Sequence, residues 1–191
     1  AIRSVERTQV ACLLVDAAEG AKEQDAKIAS MCHDAGRALV IVTSKTDLVP
    51  VGSPAYKSML EDLQDKLRFV SYAPVIGLSS RAGTGIGKLP RAIRRVFGQW
   101  DRRVTTATMN RFLEEAVEAH HPAAHHGREV RFYYMTQVTT RPPTFVFSTN
   151  APDGVRTQYR RYLANRIRDA FGFEGTPLRL FFRKRGKKKD G

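Results

Sequence analysis

Residues Ala38-Leu39-Val40-Ile41-Val42 form an unbroken apolar run, which the chain leaves through Thr43-Ser44-Lys45-Thr46-Asp47-Leu48-Val49-Pro50. No other feature constrains the fold as much. A short run that is apolar at every position is the pattern of a strand buried on both faces of a parallel sheet. Val10-Ala11-Cys12-Leu13-Leu14-Val15 has the same character, and Val75-Ile76-Gly77-Leu78 is a third strand candidate. Helical stretches follow each of them. Glu23 to Ala35 is stopped by Gly36. Pro54 opens a helix to about Val70, with Met59, Leu60, Leu63 and Leu67 at helical spacing. Leu89 to Trp100 closes the series. The order βαβαβα predicts an α/β domain, a parallel sheet with helices on both faces. Ligands of such sheets sit at the carboxyl ends of the strands.

The residues at those ends carry chemistry. A carboxylate at Asp47 can accept two hydrogen bonds, from N1–H and the 2-amino group of guanine. Adenine does not offer that pair. The aliphatic stem of Lys45 can lie flat on the base. After the third strand comes Ser79-Ser80-Arg81-Ala82-Gly83-Thr84-Gly85. In Ras-like GTPases a Ser-Ala-x loop in this place points a backbone N–H at guanine O6. A backbone contact tolerates Ser80 where Ala is usual. Taken singly, Asp47 fits a turn cap and the second loop fits an ordinary Gly-rich turn. Together and in order, they favour a guanine-binding set of Ser44, Lys45, Thr46, Asp47, Ser79, Ser80 and Arg81. No G-x-x-x-x-G-K-[ST] loop occurs, and neither Asp-x-x-Gly nor a switch threonine precedes the first strand. Those parts hold phosphates and Mg²⁺ and position the attacking water. No catalytic residue is therefore expected in this chain.

The pattern changes near residues 101–108. Residues 103–185 read as αββαβ, an α+β domain: a helix from Thr108 (its candidate N-cap) to His120, a strand through Val130, Phe132 and Tyr134, a second over Thr144–Ser148, a helix with Val155, Tyr159, Leu163, Ile167 and Phe171 inward, and a strand through Leu178, Leu180 and Phe182. In the first strand, Val130, Phe132 and Tyr134 are expected to alternate in facing with Arg131, Tyr133 and Met135. Charge separates the two halves. Residues 1–102 hold 15 Lys/Arg against 11 Asp/Glu, whereas residues 103–191 hold 17 against 8. A net of +9 in the second half suits a polyanion partner, since Lys and Arg release counterions from a nucleic-acid backbone. Arg161, Arg168, Arg183, Lys184, Arg185, Lys187, Lys188 and Lys189 are the candidate RNA-binding residues, the last three in a basic tail over residues 186–191. A merely solvated tail is the competing reading. Four of the five histidines fall in His120-His121-Pro122-Ala123-Ala124-His125-His126. Pro122 breaks helical pairing there and no acid or Cys joins them, so no metal is expected. Cys12 and Cys32 read as buried free thiols in a reducing compartment. No apolar run reaches the ~18 residues of a membrane span.

The chain as a whole resembles the C-terminal part of the bacterial Der (EngA, double-Era-like) GTPases, which carry two Era-like GTPase domains and a KH-like domain. The resemblance rests on Leu14-Val15-Asp16-Ala17-Ala18-Glu19-Gly20, on Arg141-Pro142-Pro143-Thr144-Phe145-Val146, on Tyr159-Arg160-Arg161-Tyr162-Leu163-Ala164-Asn165-Arg166-Ile167-Arg168, and on Phe171-Gly172-Phe173-Glu174-Gly175-Thr176-Pro177. It implies a partial Ras-like P-loop GTPase domain over 1–102 and a KH-like domain over 103–185. It further implies a cytoplasmic GTP hydrolase acting in biogenesis of the large ribosomal subunit, with rRNA and the family's first GTPase domain as partners. GTP or GDP would be the ligand, with Mg²⁺ only in the full-length protein, and this part alone would be inactive. The family usually has Asn where Ser44 stands and often Trp where Thr46 stands, which implies weaker nucleotide binding here. KH domains usually clamp RNA with a Gly-x-x-Gly loop, and this domain is expected to have none. The alternative is a stand-alone rRNA-binding protein whose GTPase half has decayed.

Overall fold

The computed structural model describes residues 2–185, so Lys187, Lys188, Lys189 and the rest of the basic tail lie outside it. It divides into two compact units: Ala1–Asp101 with Phe173–Pro177, and Arg102–Gly172 with Leu178–Gly191. The expected division at residue 102 gains a returning segment, Phe173–Pro177, that packs with the first unit.

The first unit is a parallel sheet in the order β1 (Val10–Asp16), β2 (Ala38–Ser44), β3 (Val75–Gly77). Helices α1 (Ile2–Arg7), α2 (Glu23–Asp34), α3 (Pro54–Lys66) and α4 (Lys88–Trp100) accompany it. Every residue of β2 from Ala38 to Thr43 is buried, as a central strand without polar alternation requires. Leu39 and Ile41 join Leu13, Val15, Leu63 and Leu67 in one core. Val40 and Val42 join Val96 and Trp100 in the other. Burying a side chain such as Leu39 stabilises by about 1.5–3 kcal/mol.

Two expectations need correction here. β1 is not buried on both faces throughout, because Leu14 is 63% exposed. Helix α3 does not reach Val70. Ser53 caps its start by accepting the Tyr56 N–H, and Pro54 stands in the first turn. It ends at Lys66, since Leu67 leaves helical geometry, and Arg68–Val70 is a separate 3₁₀ turn.

The returning segment is built into this unit by backbone. Leu39 N–H donates to the Gly175 carbonyl at 2.7 Å, and Gly175 N–H donates to that of Tyr72 at 2.7 Å. Gly175 has φ +71, and a Cβ there would meet both Val96 methyl groups at 2.5 Å. Gly172-Phe173-Glu174-Gly175 does have the Gly-x-x-Gly spacing, against the expectation that the domain has none. With Phe173 fully buried and Gly175 bonded on both sides, the spacing answers to packing and not to a phosphate clamp.

The second unit has the expected αββαβ order: α5 (Thr106–Ala119), β4 (Phe132–Thr140), β5 (Pro143–Thr149), α6 (Thr157–Phe171), β6 (Arg179–Lys184). β5 is central, antiparallel to β4 and parallel to β6. Helix α5 starts before the expected Thr108, because Thr105 is the N-cap and accepts the Thr108 N–H. The expected alternation in β4 also fails. The register shifts between Phe132 and Tyr134, so that one extra residue reverses the facing of the residues up to Gln137, where a second shift, between Gln137 and Thr139, intervenes. Val130 and Met135 are therefore both buried, while Tyr133 and Tyr134 are both exposed. On one face of the sheet, Tyr159 of α6 stacks on Phe132, and Phe147 stacks on Phe182 at 5.0 Å. Tyr159, Leu163, Ile167 and Phe171 are buried along the inward side of α6, whereas Val155, also buried, lies before the helix begins at Thr157. Burial pushes the Tyr159 phenol up to about 12, and its hydroxyl donates to the His120 carbonyl.

Candidate functional site

The parallel pairing of β1 with β2 puts Asp16 and Ser44 side by side at their carboxyl ends, and Thr43 pairs with Gly77 at the end of β3. The loops leaving these three ends meet. Lys45 takes a left-handed backbone, φ 57, directly after β2. Its ammonium reaches Asp16 Oδ2 at 2.6 Å. Two residues on, Asp47 Oδ1 accepts the Ser79 hydroxyl at 2.6 Å. Ser79 is fully buried, and its oxygen accepts in turn the N–H of Ala82 at 3.1 Å. The Ser79 N–H donates to the Thr84 carbonyl, closing the second loop on itself. Asp47 is thus held by a side chain that the fold fixes on two sides. One carboxylate oxygen is engaged, and the group as a whole is exposed.

The other residues of the expected set fall into two groups. Thr46 is buried and donates its N–H to the Leu78 carbonyl, which ties the first loop to the second. Ser80 and Arg81 are exposed at the rim. Ser44 is turned inward, and its hydroxyl donates to the Val15 carbonyl at 3.2 Å. A cavity of about 730 Å³ opens beside Asp47, with Thr46, Tyr56, Gly77 and Lys88 in its walls. Of the guanine set, Thr46 and Asp47 line it, whereas Lys45 and Ser80 do not. Two contributors escaped the sequence reading. Asp16, which holds Lys45, is revealed only by strand register. Tyr56, on α3 and outside the motif, shares a buried 2.8 Å hydrogen bond with the Thr43 hydroxyl.

The electrostatics follow from these contacts. The Lys45 ammonium holds Asp16 below the usual carboxylate range, and Asp16 raises Lys45 in return. The Ser79 hydroxyl lowers Asp47, with Arg81 and Lys45 adding smaller effects. Depressed carboxylates contribute above their ordinary value near 3.8 and lose that contribution as pH falls through the lower folded value. A raised lysine contributes below its ordinary 10.5 and loses it above the higher folded value. The loop pair is therefore expected to hold its charges unchanged across pH 5 to 9. Titration of these protein groups should therefore leave guanine-nucleotide affinity unchanged over that interval; affinity should fall under acid conditions as Asp47 is protonated, and under alkaline conditions as guanine itself loses the N1–H that Asp47 accepts.

The Gly-rich loop has a steric requirement at Gly85. Its φ is +76, and a Cβ would lie 2.2 Å from the Gly77 carbonyl oxygen. Backbone meets backbone there, so no side chain can move aside. Gly85→Ala is expected to cost about 2–4 kcal/mol from overpacking and left-handed strain, measured by urea unfolding.

The candidate RNA-binding residues lie on the second unit. Arg161 is exposed on α6, and Arg168 is half-buried in its last turn. Arg183 and Lys184 are exposed on β6. The Arg185 guanidinium lies 4.8 Å over the ring of Tyr133.

The family described as the C-terminal KH-domain-like region of EngA bacterial GTPase enzymes matches residues 103–183, and the GTP-binding domain of elongation factor Tu matches residues 1–122. GTPase Der of Trichlorobacter lovleyi is 47% identical over 188 residues, 98% of this chain and 42% of the relative. The chain belongs to the Der (EngA) GTPase family. GTPase Der of Moorella thermoacetica is 45% identical over 189 residues, 99% of this chain and 43% of the relative. The chain thus spans about two fifths of the length of the Der relatives it matches. Among solved structures, Aquifex aeolicus Era bound to GDP·AlF₄⁻ aligns over 97% of this chain and 69% of its own, at 14% identity and a TM-score of 0.43. Fold class agrees with the family: a Ras-like parallel α/β unit and a KH-like α+β unit.

Proposed function

We propose that this chain carries the guanine-specifying part of a GTP hydrolase that acts in the cytoplasm in assembly of the large ribosomal subunit. Residues 1–102 would supply the base site and residues 103–185 a basic, RNA-facing domain. The observation that carries the reading is the Asp47 carboxylate, oriented by the Ser79 hydroxyl and exposed where the ends of β2 and β3 converge. One carboxylate so placed accepts from N1–H and the 2-amino group of guanine. Lys45, braced by Asp16, covers a face of the base with its stem. The backbone N–H of Ser80, in the exposed loop after β3, would serve O6. Ser44, turned to the Val15 carbonyl, adds no direct contact to the base, in keeping with weak binding.

These residues fit the base and not the metal. Among the described residues, no group of three or more His, Cys, Asp or Glu side chains is placed to hold an ion. Mg²⁺ and the phosphates would be held by the family's phosphate-binding loops, whose sequence pattern does not occur here. The partners of the reading are rRNA of the large subunit and the family's other GTPase domain. No helix among the described residues is long and apolar enough to cross a membrane. Phosphate release from GTP tests the division of labour. The 191-residue chain is expected to release phosphate no faster than buffer alone, with or without Mg²⁺. Turnover by this chain would overturn the assignment of catalysis to other segments.

A further inference from the structure

The sheet of the second unit has two faces, and only one is covered by α6. Phe132, Phe147 and Phe182 face that helix through Tyr159 and Arg160. The opposite face is made of alternate residues. Register places Tyr134, Ser148 and Arg183 in one row, and Thr136, Val146 and Phe181 in the next. Arg179 continues it, paired with Thr144, which is buried. Tyr134 is 46% exposed and Phe181 48%. Arg179 and Arg183 are exposed on either side of Phe181 along β6. The Ser148 hydroxyl, between Tyr134 and Arg183, is buried without a hydrogen-bond partner.

A single exposed ring needs no occupant, but rings in adjacent rows of one sheet face, bordered by charge, have the character of an interaction site. Here the rings alternate with guanidinium groups, in a half of the chain that carries a net +9. An apolar protein partner would not need that charge, and a duplex offers its bases no free face. Single-stranded nucleic acid matches both features, since bases stack on the rings and phosphates meet the arginines. We propose that the uncovered face of the β4–β5–β6 sheet is a platform for single-stranded RNA, with Tyr134 and Phe181 stacking bases and Arg179 and Arg183 neutralising phosphates. This assignment rests on the RNA-facing role given above to residues 103–185. It differs from a Gly-x-x-Gly clamp, because Gly172–Gly175 is consumed by packing.

Fluorescence anisotropy with the whole chain tests it, using a fluorescein-labelled 12-nucleotide oligouridylate and a labelled 12-base-pair RNA duplex. The single strand should bind more tightly than the duplex. Phe181→Ser and Tyr134→Ser should each weaken single-strand binding about 5- to 100-fold with an unchanged salt slope. Phe181→Tyr should retain it, which separates lost stacking from lost folding, and far-UV circular dichroism checks each variant. Arg183→Gln should lower the salt slope by about one contact. Equal or tighter duplex binding, or serine variants that bind like the parent, would overturn the platform. If the serine variants are silent while Arg161→Gln weakens binding, the RNA-facing role stands and this face is wrong. If the parent chain binds neither RNA, the RNA-facing role itself falls.

Discussion

Asp47→Asn is expected to weaken GDP binding about 100-fold and to exchange guanine for xanthine as the preferred base. The carboxylate accepts two hydrogen bonds from the base, and bonds to a charged group contribute about 1.5–3 kcal/mol each. An amide keeps one acceptor and turns a donor toward the 2-amino group, which is a donor as well. Xanthine has a carbonyl oxygen at that position and would accept it. The hydrogen bond from Ser79 survives, because the amide oxygen still accepts that hydroxyl. Titrating the variant with GDP and with xanthosine diphosphate reads both halves. Loss of GDP without gain of xanthosine diphosphate would mean that Asp47 acts on the loop and not on the base.

Phe147→Ala is expected to cost about 3–5 kcal/mol. Phe147 is fully buried on the covered face of β5, between Phe132 at 6.0 Å and Phe182 at 5.0 Å. Its removal leaves a cavity among rings that cannot collapse together, since each is fixed to a different strand. Whole domains are stable by only about 5–15 kcal/mol. The second unit should therefore melt lower by some tens of degrees or fail to fold at ambient temperature, followed by near-ultraviolet circular dichroism. The contrast is Phe181→Ser on the uncovered face, which should leave the melting temperature nearly unchanged. Equal losses at the two positions would contradict the division of the sheet into a covered and an open side.

The unequal legibility of these features has physical causes. β2 was readable because a strand buried on both faces leaves no polar alternation to confuse. Leu14 broke the same rule because burial depends on what packs over a strand, and sequence pattern does not record that. β4 is misleading because a bulge inserts one residue without changing composition, and the facing turns over beyond it until the second shift between Gln137 and Thr139. Asp47 and Ser79 were legible as members of one site, since both sit where parallel strands must end together. Their direct hydrogen bond was not, and neither was the brace of Lys45 by Asp16. Such contacts depend on rotamers and loop closure. The Gly-x-x-Gly spacing at Gly172 is visible in the sequence, but motif reading alone would take it for a clamp, and the structure gives it a packing role.

Isothermal titration of the chain with GDP and with ADP under identical conditions is the most direct measurement. The account predicts a weak but saturable GDP isotherm, no heat from ADP, and no GDP heat from Asp47→Ala. Equal binding of the two nucleotides, or GDP binding that survives Asp47→Ala, would contradict the assignment of guanine recognition to the loops at the ends of β2 and β3.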